Sequence, residues 1–516
     1  MRRYLTLLLL GPLAVTLAAG CDDAGDGRVL GISTTGAIVG TAYLDRDGNG
    51  QRDAGSDAPV PGLIVGLAFP GARDTIASVT TDEAGRYAFG DLEVGSYELV
   101  IDASSVPDTL EFVATNPARI TVAMVDTPAV TIALGYPHIT LSEARTAAAG
   151  RRVAVHGVAL NDYGAFGDAT VHLSDAMNAL RAVGVAASAI SAGDSVRIVG
   201  TLDRLAGQPV LSDAFAFVLG ASTVPAPETL STAAASTARS GARDAALVRI
   251  EGATVLDVRR TSTGDDLLIV DDGSGALEVI LDTSGRFGLV PLPGAIVESS
   301  GLLVPSAERA GRWSLKPRST NDLSFEYPSA TLREVRSLEP GKRVAVEGVA
   351  LNGWATFGDA TVHLADRTGA LRTIRVAQAN LFAGDSVRVI GTVAVLDGQP
   401  VLSDATASIL AAGTAPAPRP RTTAQAARAA GGLDAALVQI TNATVTDTAT
   451  TAARDFLLTV NDGSGAVQVL IDQDTGIQRA PYVPNARIDA IGVLVPLAGG
   501  GGWMLKPRTS ADLRVR

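Results

Sequence analysis

An internal duplication limits the fold of this chain more than any other feature. The segment "RVAVHGVALNDYGAFGDATVHLSDAMNALR" (152–181) recurs as "RVAVEGVALNGWATFGDATVHLADRTGALR" (343–372). The repeat places His172 in register with His363, an offset of 191 residues between positions 172 and 363. Two later segments, "DDGSGALEVIL" and "WSLKPRSTNDL", recur at the same offset to within one residue. A repeat of this length predicts two tandem copies of one folded unit.

Each unit is itself made of two similar halves. "VAVHGVAL…VHLSDAMNALRAV" aligns with "VRIEGATV…LIVDDGSGALEVIL", and both halves continue into two further strands. Short Val/Ile/Leu alternations between turn residues favour β-structure. Each half then reads as one strand, a long loop, a hairpin and two more strands, which together have the order of a five-stranded Greek key. This order resembles the bacterial OB-fold. The sequence therefore predicts four OB-like barrels in two tandem pairs, at 138–222, 223–327, 328–413 and 414–516.

A separate module precedes the repeats, over residues 37–137. Its segments "GTAYLDRDGNGQRDAG", "PVPGLIVGL" and "TTDEAGRYAFGDLEVGSYELVI" resemble the B-domain family of serine-aspartate repeat surface proteins, and more loosely the carboxypeptidase regulatory-like sandwiches. The resemblance implies a seven-stranded immunoglobulin-like β-sandwich that serves as a structural or adhesive spacer. The predicted fold class is thus all-β, with one sandwich followed by four barrels.

The acidic loop in this module has the spacing of a calcium site. Calcium takes six to eight oxygen ligands, and a loop with glycine at its sharp bend supplies them from alternate positions. The side chains at positions one, three, five and nine and the backbone carbonyl at position seven are the candidate ligands. In chain order they are Asp45, Asp47, Asn49, Asp53 and, for the carbonyl, Gln51.

The closing ligand departs from the usual pattern. Ser56 stands at position twelve, where such loops carry a bidentate glutamate, and Asp57 follows it. Asp57 is therefore the candidate sixth ligand of a structural Ca²⁺. The alternative interpretation is an Asp/Asn/Gly-rich turn that needs no metal.

The N-terminus has the pattern of a targeting segment. "MRRYLTLLLLGPLAVTLAAGC" places two arginines before an apolar run that is too short for a span in the mature protein. "LAAGC" resembles the bacterial lipobox, and Cys21 is the only cysteine in the chain. Residues 1–21 are predicted to be a lipoprotein signal peptide with a lipidated Cys21, and 22–36 a flexible tether. The resemblance implies a cell-envelope protein held in a lipid bilayer; an ordinary secretory signal cleaved near Ala19 is the alternative.

The barrels raise the question of a ligand, because OB-folds bind oligonucleotides and oligosaccharides. A formal charge of −12 and 4% aromatic residues disfavour non-specific attraction to nucleic acid. Three alternatives stay open: oligonucleotide binding, binding of an envelope glycan or protein, and purely architectural stacking. The candidate contacts are an aromatic residue and two arginines in each unit: Tyr163, Arg181 and Arg197, and Trp354, Arg372 and Arg388.

No motif predicts catalysis, and we expect the protein not to be an enzyme. His172 and His363 alternate with apolar residues, which predicts a strand-surface or half-buried position. "DGSG" lacks the nucleophile-elbow context and predicts a hairpin turn. In "WSLKPR" and "WMLKPR" we expect the tryptophan to cap its barrel while the lysine and arginine are solvated, with a ligand-binding edge as the alternative. The Phe before each "GDATVHL" is expected to be a core plug.

Overall fold

The computed structural model describes residues 35–516 except 114–118, 124–126, 176, 187–188, 429–431 and 498–500. The chain divides into two compact units between Pro137 and His138. The predicted signal peptide, Cys21 and almost all of the tether lie outside the described residues.

The first unit is a β-sandwich of two sheets. One sheet has the order β2-β1-β9-β7, with β5 on β1, and the other has the order β4-β3-β6-β8. Strands β1 and β9 are parallel and the remaining pairs are antiparallel. The strands are β1 (Thr35–Leu44), β2 (Ala58–Pro59), β3 (Ile64–Ala68), β4 (Ala77–Thr80), β5 (Arg86–Glu93), β6 (Gly95–Ile101), β7 (Glu111–Phe112), β8 (Ile120–Val122) and β9 (Ala129–Gly135).

Alternation along β1 determines which face of the sandwich is buried. Ile38 and Ala42 point into the core, which also takes Tyr87 and Phe89 from the neighbouring strand β5. Gly40 lies where β1 meets β9, and a Cβ at this position would stand 2.0 Å from the Val130 carbonyl oxygen. Only glycine permits this close approach.

Barrels 1 and 3 are closed five-stranded barrels with the same strand order, which reads β10-β11-β12-β14-β13 in barrel 1 and β22-β23-β24-β26-β25 in barrel 3. A short helix with a capping box precedes each first strand. Barrel 1 contains α1 (Leu141–Thr146), β10 (Arg152–Ala159), β11 (Val171–Ser174), β12 (Ala179–Ala182), β13 (Asp194–Leu205) and β14 (Gln208–Ala221). Barrel 3 contains α3 (Leu332–Val335), β22 (Arg343–Ala350), β23 (Val362–Ala365), β24 (Ala370–Ile374), β25 (Ser386–Leu396) and β26 (Gln399–Ala411).

Barrels 2 and 4 repeat this order with one added strand at each end. In each of these two barrels the first long strand also pairs with a later strand and so closes the sheet. The closing pairs are β16 with β19 in barrel 2 and β28 with β31 in barrel 4. Barrel 2 contains β15 (Glu228–Thr229), α2 (Thr232–Ser236), β16 (Leu247–Arg260), β17 (Asp266–Asp271), β18 (Leu277–Leu281), β19 (Ile296–Pro305), β20 (Trp313–Lys316) and β21 (Leu323–Glu326). Barrel 4 contains β27 (Arg419–Pro420), α4 (Thr423–Ala427), β28 (Leu437–Thr450), β29 (Phe456–Asn461), β30 (Ala466–Ile471), β31 (Arg487–Pro496), β32 (Trp503–Lys506) and β33 (Leu513–Val515).

The fold class predicted from the sequence is therefore correct: a sandwich followed by four small barrels. Every described helix is short, and none is long and apolar enough to cross a membrane. The described elements of the four barrels lie within 138–222, 223–327, 328–413 and 414–516.

Candidate metal loop and barrel junctions

The acidic loop connects β1 to β2 and is folded around Asp45. This side chain is fully buried and accepts the backbone N–H of Gly48 at 2.7 Å and of Gly50 at 2.8 Å. Both glycines have positive φ, 77° and 73°, which other residues adopt only at a cost. The two glycines thus wrap the chain around the first carboxylate.

Three carboxylates converge in this loop. Oxygens of Asp45, Asp47 and Asp57 lie within 4.8 Å of one another. Asp57 is held there because its two oxygens accept the backbone N–H groups of Arg46 at 3.2 Å and Asp53 at 2.8 Å. The residue after Ser56 therefore reaches the cluster, at the end of the loop that lacks the usual glutamate.

The clustered negative charge changes the titration of neighbouring groups. Partial burial raises the pKa of Asp47, and the adjacent Asp45 and Asp57 carboxyls raise it further, against an opposing hydrogen bond from the Asn49 backbone. Burial, followed by the repulsion of the same carboxylates, also raises the pKa of Tyr43. A bound cation removes this repulsion, so the electrostatics of the loop fit a metal site.

The other predicted ligands form a hydrogen-bonded chain on the exposed side of the loop. The Asn49 side-chain amide donates to Asp47 at 3.0 Å and to Asp53 at 2.6 Å, and its carbonyl oxygen accepts the Gln51 N–H at 2.6 Å. Asp53 and Gln51 are exposed.

The two candidate aromatic contacts of the barrels are half-buried against the barrel cores. Tyr163 packs on the core of barrel 1 and Trp354 on the core of barrel 3. The Trp354 Nε1–H donates to the Val376 carbonyl at 2.8 Å, and the Tyr163 hydroxyl donates to the Val185 carbonyl at 3.4 Å. Their polar atoms are thus used within their own barrels.

Three of the four candidate arginines are buried. Arg181, Arg197 and Arg372 are 8%, 7% and 9% exposed, and Arg372 pairs with Asp397 at 3.3 Å. Arg388 is half-buried and lines a groove on barrel 3. These four arginines therefore do not form the exposed, positively charged groove that binding of a nucleic-acid backbone requires.

The phenylalanines before "GDATVHL" belong to the contacts between barrels. Phe166 packs with Leu160 of its own barrel and with Leu247 and Leu302 of barrel 2, which we call junction 1–2. In the second pair, junction 3–4, the same cluster is formed by Leu351, Phe357, Leu437, Val493 and Val495. Each ring plugs the interface between two barrels rather than the core of one.

The "LKPR" segments supply the polar half of each junction. The Lys316 ammonium lies 4.5 Å from the Phe166 ring centroid and pairs with Asp282 at 2.7 Å. Lys506 lies 4.2 Å from the Phe357 ring centroid and pairs with Asp472. The cations therefore cover the rings that plug the junctions.

The arginine that follows reaches across to the neighbouring barrel. Arg318 donates to the Leu160 carbonyl of barrel 1 at 2.7 Å, and Arg508 donates to the Leu351 carbonyl of barrel 3 at 2.7 Å. Two carboxylates of the arginines' own barrels hold the guanidinium groups: Asp322 and Asp512.

The expectation that these lysines and arginines are solvated is therefore wrong. Their side chains are only 13–22% exposed because the adjoining barrel covers them. The two tryptophans are buried in their own barrels, as expected of caps, and Trp313 donates to Asp244 at 2.7 Å.

His172 and His363 are fully buried, which corrects the expectation of a strand-surface or half-buried position. Each is 1% exposed, because the junction covers the outer face of its strand. Burial lowers the pKa of both well below the usual value, and the neighbouring cations, Arg181 and Lys316 or Arg372 and Lys506, lower it further.

The "DGSG" turns form hairpins and also hold a helix. Thr232, the first residue of α2, donates its hydroxyl to Asp272 at 2.7 Å, and Thr423 does the same to Asp462 at 2.6 Å. Partial burial opposes ionisation of Asp272, but hydrogen bonds from Ser274 and Thr232 lower its pKa to about 2. These aspartates act as structural acceptors.

Sequence reasoning missed a second pair of contacts at the junctions. Arg145 donates to backbone carbonyls of Ala179 in its own barrel and of Gly241 and Asp244 in barrel 2, and Arg336 reaches Asp434 at 3.2 Å. Burial raises the pKa of Asp244, against the hydrogen bond from Trp313 and the charges of Arg181 and Arg145. Burial also raises the pKa of Asp434, against the charge of Arg336. The sequence signal for these contacts is the segment "DAALV", which begins with the contacted aspartate and occurs in both units.

The sandwich matches a known family. The family model described as the SdrD B-like domain matches residues 36–127. A search of curated proteins finds no match.

Solved structures match parts of this chain at low similarity. The minor pilin GBS52 of Streptococcus agalactiae is 17% identical over 20% of this chain and 46% of its own, with a TM-score of 0.16. Asparaginyl-tRNA synthetase from Pyrococcus horikoshii is 16% identical over 16% of this chain and 20% of its own, with a TM-score of 0.14. A replication protein A heterotrimer bound to single-stranded DNA is 11% identical over 53% of this chain and 94% of its own, with a TM-score of 0.18. This chain thus spans less than half of the pilin and a fifth of the synthetase.

Proposed function

We propose that the protein is a non-catalytic scaffold of the cell envelope, anchored by lipid at Cys21 and stiffened by calcium in its sandwich domain. The observation that carries this proposal is that the junction residues form contacts between barrels. Phe166, Lys316 and Arg318, and their counterparts in the second pair, are consumed in joining one barrel to the next. Such contacts support a scaffold in which the barrels are held together in pairs, and the SdrD B-like match supports a surface-type module before them.

The partner of such a scaffold would be an envelope glycan or protein. Oligonucleotide binding is the alternative, but the burial of Arg181, Arg197 and Arg372 argues against it. Stacking on single strands also requires exposed aromatic rings above a basic groove, and the polar atoms of Tyr163 and Trp354 bond within their own barrels.

The acidic loop fits Ca²⁺ by its donor set. Asp45, Asp47 and Asp57 would hold the ion through carboxylate oxygens, with Asn49, Asp53 and the Gln51 carbonyl as the remaining predicted ligands. Hard oxygen donors in a flexible loop are those that calcium prefers. When bound, the ion would neutralise the three carboxylates and hold the β1–β2 connection together.

Calcium is expected to raise the melting temperature of the sandwich. At a calcium concentration one hundred times the dissociation constant, the stabilisation is about 2.7 kcal/mol, which raises the melting temperature of a domain of about 100 residues by several degrees. Calorimetry of the mature chain in millimolar calcium and in EDTA measures the shift. Asp57→Asn is expected to reduce it strongly, whereas the exposed Asp108→Asn is the matched control and leaves it intact. Identical curves in calcium and EDTA would exclude the metal.

The lipid anchor is tested separately. Cys21→Ala removes the acylated thiol, so the protein is expected to leave the membrane fraction when cells are fractionated. A single acyl-bearing residue accounts for stable binding only when it carries more than one chain, as a diacylated lipoprotein cysteine does. Retention of the variant with membranes, in amounts equal to the parent protein, would contradict the proposal.

A further inference from the structure

Two exposed histidines of barrel 1 lie side by side, and none of the contacts described above uses them. The ring centroids of His138 and His156 are 4.5 Å apart, and the ring planes are tilted by 48° to each other. Both residues are exposed, whereas His172 and His363, the other two histidines of the chain, are buried. Barrel 1 therefore presents a pair of imidazole rings to solvent.

The backbone holds the two histidines on neighbouring segments of one barrel. His138 forms a parallel β-bridge with Ala154, and the Ile139 N–H donates to the Ala154 carbonyl at 3.0 Å. His156 lies two residues further along β10, and it shares a face with Ala154 because side chains alternate along a strand. The capping box that begins α1 fixes the chain two residues after His138. The two side chains thus start from fixed positions.

The separation of the rings fits one metal ion bound to both. An ion that binds two imidazole nitrogens at about 2.1 Å holds the ring centroids roughly 4.6 Å apart when the two bonds form a right angle, and roughly 5.3 Å apart at a tetrahedral angle. The observed 4.5 Å matches the right angle. Because both rings are exposed, rotation about χ2 can turn a nitrogen of each towards the ion. Tetragonal sites with nitrogen and oxygen ligands are typical of Cu²⁺ and Ni²⁺.

The surroundings favour the neutral imidazole, which is the form that binds a metal ion. Partial burial lowers the pKa of His156, and the charges of His138 and Arg197 lower it further. A carboxylate also lies near the pair: hydrogen bonds from Thr140 lower the pKa of Glu143, and the charge of His138 adds to this effect. A divalent cation at this place therefore meets both a guanidinium and a carboxylate, rather than positive charge alone.

Barrel 3 has the same backbone arrangement without the histidines. Ser329 and Glu347 stand at the positions of His138 and His156, at the offset of 191 residues between positions 172 and 363. Ser329 forms the same parallel bridge to the first strand of its barrel, and Glu347 has an arginine as its cross-strand partner, as His156 does. The two histidines are thus present together in barrel 1 and replaced together in barrel 3.

We propose that His138 and His156 bind one Cu²⁺ ion, with water at the remaining positions. Imidazole suits copper, and a site of given ligands binds Cu²⁺ more tightly than the other divalent first-row metals. The site differs in kind from the acidic loop, where three carboxylates supply the oxygen donors that calcium prefers. Neither histidine takes part in the proposed calcium site, the lipid anchor or the barrel junctions, so this proposal is independent of them.

The test is a titration of the mature full-length chain with Cu²⁺, in millimolar calcium, followed by electron paramagnetic resonance. We expect one bound copper ion whose spectrum shows coupling to nitrogen. His138→Ser introduces the residue that barrel 3 carries at this position. It is expected to weaken the binding of this ion by about tenfold or more, because one of two nitrogen ligands is lost. Ser329→Ala, at the matching place in barrel 3, is the control and should bind copper as the parent does.

A gain-of-site variant covers the case in which His138→Ser disturbs folding. Ser329→His combined with Glu347→His builds the same pair in barrel 3 and is expected to bind a second nitrogen-coordinated copper ion. Copper bound through oxygen alone, equal nitrogen-coordinated binding in the parent and in His138→Ser, or no second ion in the barrel 3 variant would each overturn the proposal. Melting in calcium and EDTA does not depend on these residues, so its outcome remains separate.

Discussion

Phe357→Ala is expected to lower the free energy of unfolding of the second barrel pair by about 3–5 kcal/mol, the usual cost of removing a buried phenylalanine. The ring is 3% exposed and contacts apolar side chains from both barrels of junction 3–4. Its loss also removes the surface on which the Lys506 ammonium rests. Urea unfolding followed by circular dichroism measures the change.

The matched control is Phe382→Ala, in the same barrel. Phe382 is 63% exposed, so its removal is expected to change stability by no more than about 0.5 kcal/mol. Because Phe357 joins two barrels, its variant should also separate their unfolding into two calorimetric transitions. Equal effects of the two substitutions, or a single unchanged transition in Phe357→Ala, would show that the Phe357 ring does not couple the two barrels.

The barrels and their order were predictable because the signal is repeated. Two copies of each strand pattern at an offset of 191 residues (His172 and His363) distinguish a strand from a chance apolar run. The glycines of the acidic loop were equally informative, since Gly48 and Gly50 do take the positive φ that the loop requires. In both cases the physical constraint is local in sequence.

The junctions were not predictable from the same patterns. Arg318 meets the Leu160 carbonyl across 158 residues, and neither residue is unusual in its own segment. Periodicity shows which face of a strand is apolar, but it does not show that a second barrel covers the other face. For this reason Arg372 was expected to be available for a ligand and His363 to be at least half-exposed, whereas both are buried.

The stability of the barrels is expected to fall as the pH falls below 6.5, because of the two buried histidines. Burial, followed by the neighbouring cations, holds the pKa of His172 and His363 far below the ordinary value of 6.5. The unfolded chain therefore binds protons that the folded chain does not, and stability decreases with falling pH from about 6.5 down to the folded pKa. Each histidine contributes a slope of about 1.4 kcal/mol per pH unit in this window.

His363→Gln is expected to reduce this slope by about 1.4 kcal/mol per pH unit, because glutamine does not titrate. Urea unfolding at intervals of half a pH unit between pH 4.5 and 8 measures the slope of the unfolding free energy against pH. The difference between variant and parent is expected only below about pH 6.5, the ordinary pKa of histidine. Between pH 7 and 8 the variant and the parent should have the same slope, which serves as the internal control. Nitrogen-15 NMR of the folded chain should show Nε2 of His363 unprotonated across the same range, because Nδ1 faces the Asn352 side-chain oxygen at 2.9 Å and carries the proton of the neutral ring. A protonated His363 at pH 6, or an unchanged slope in the variant, would contradict the neutral buried ring on which this prediction depends.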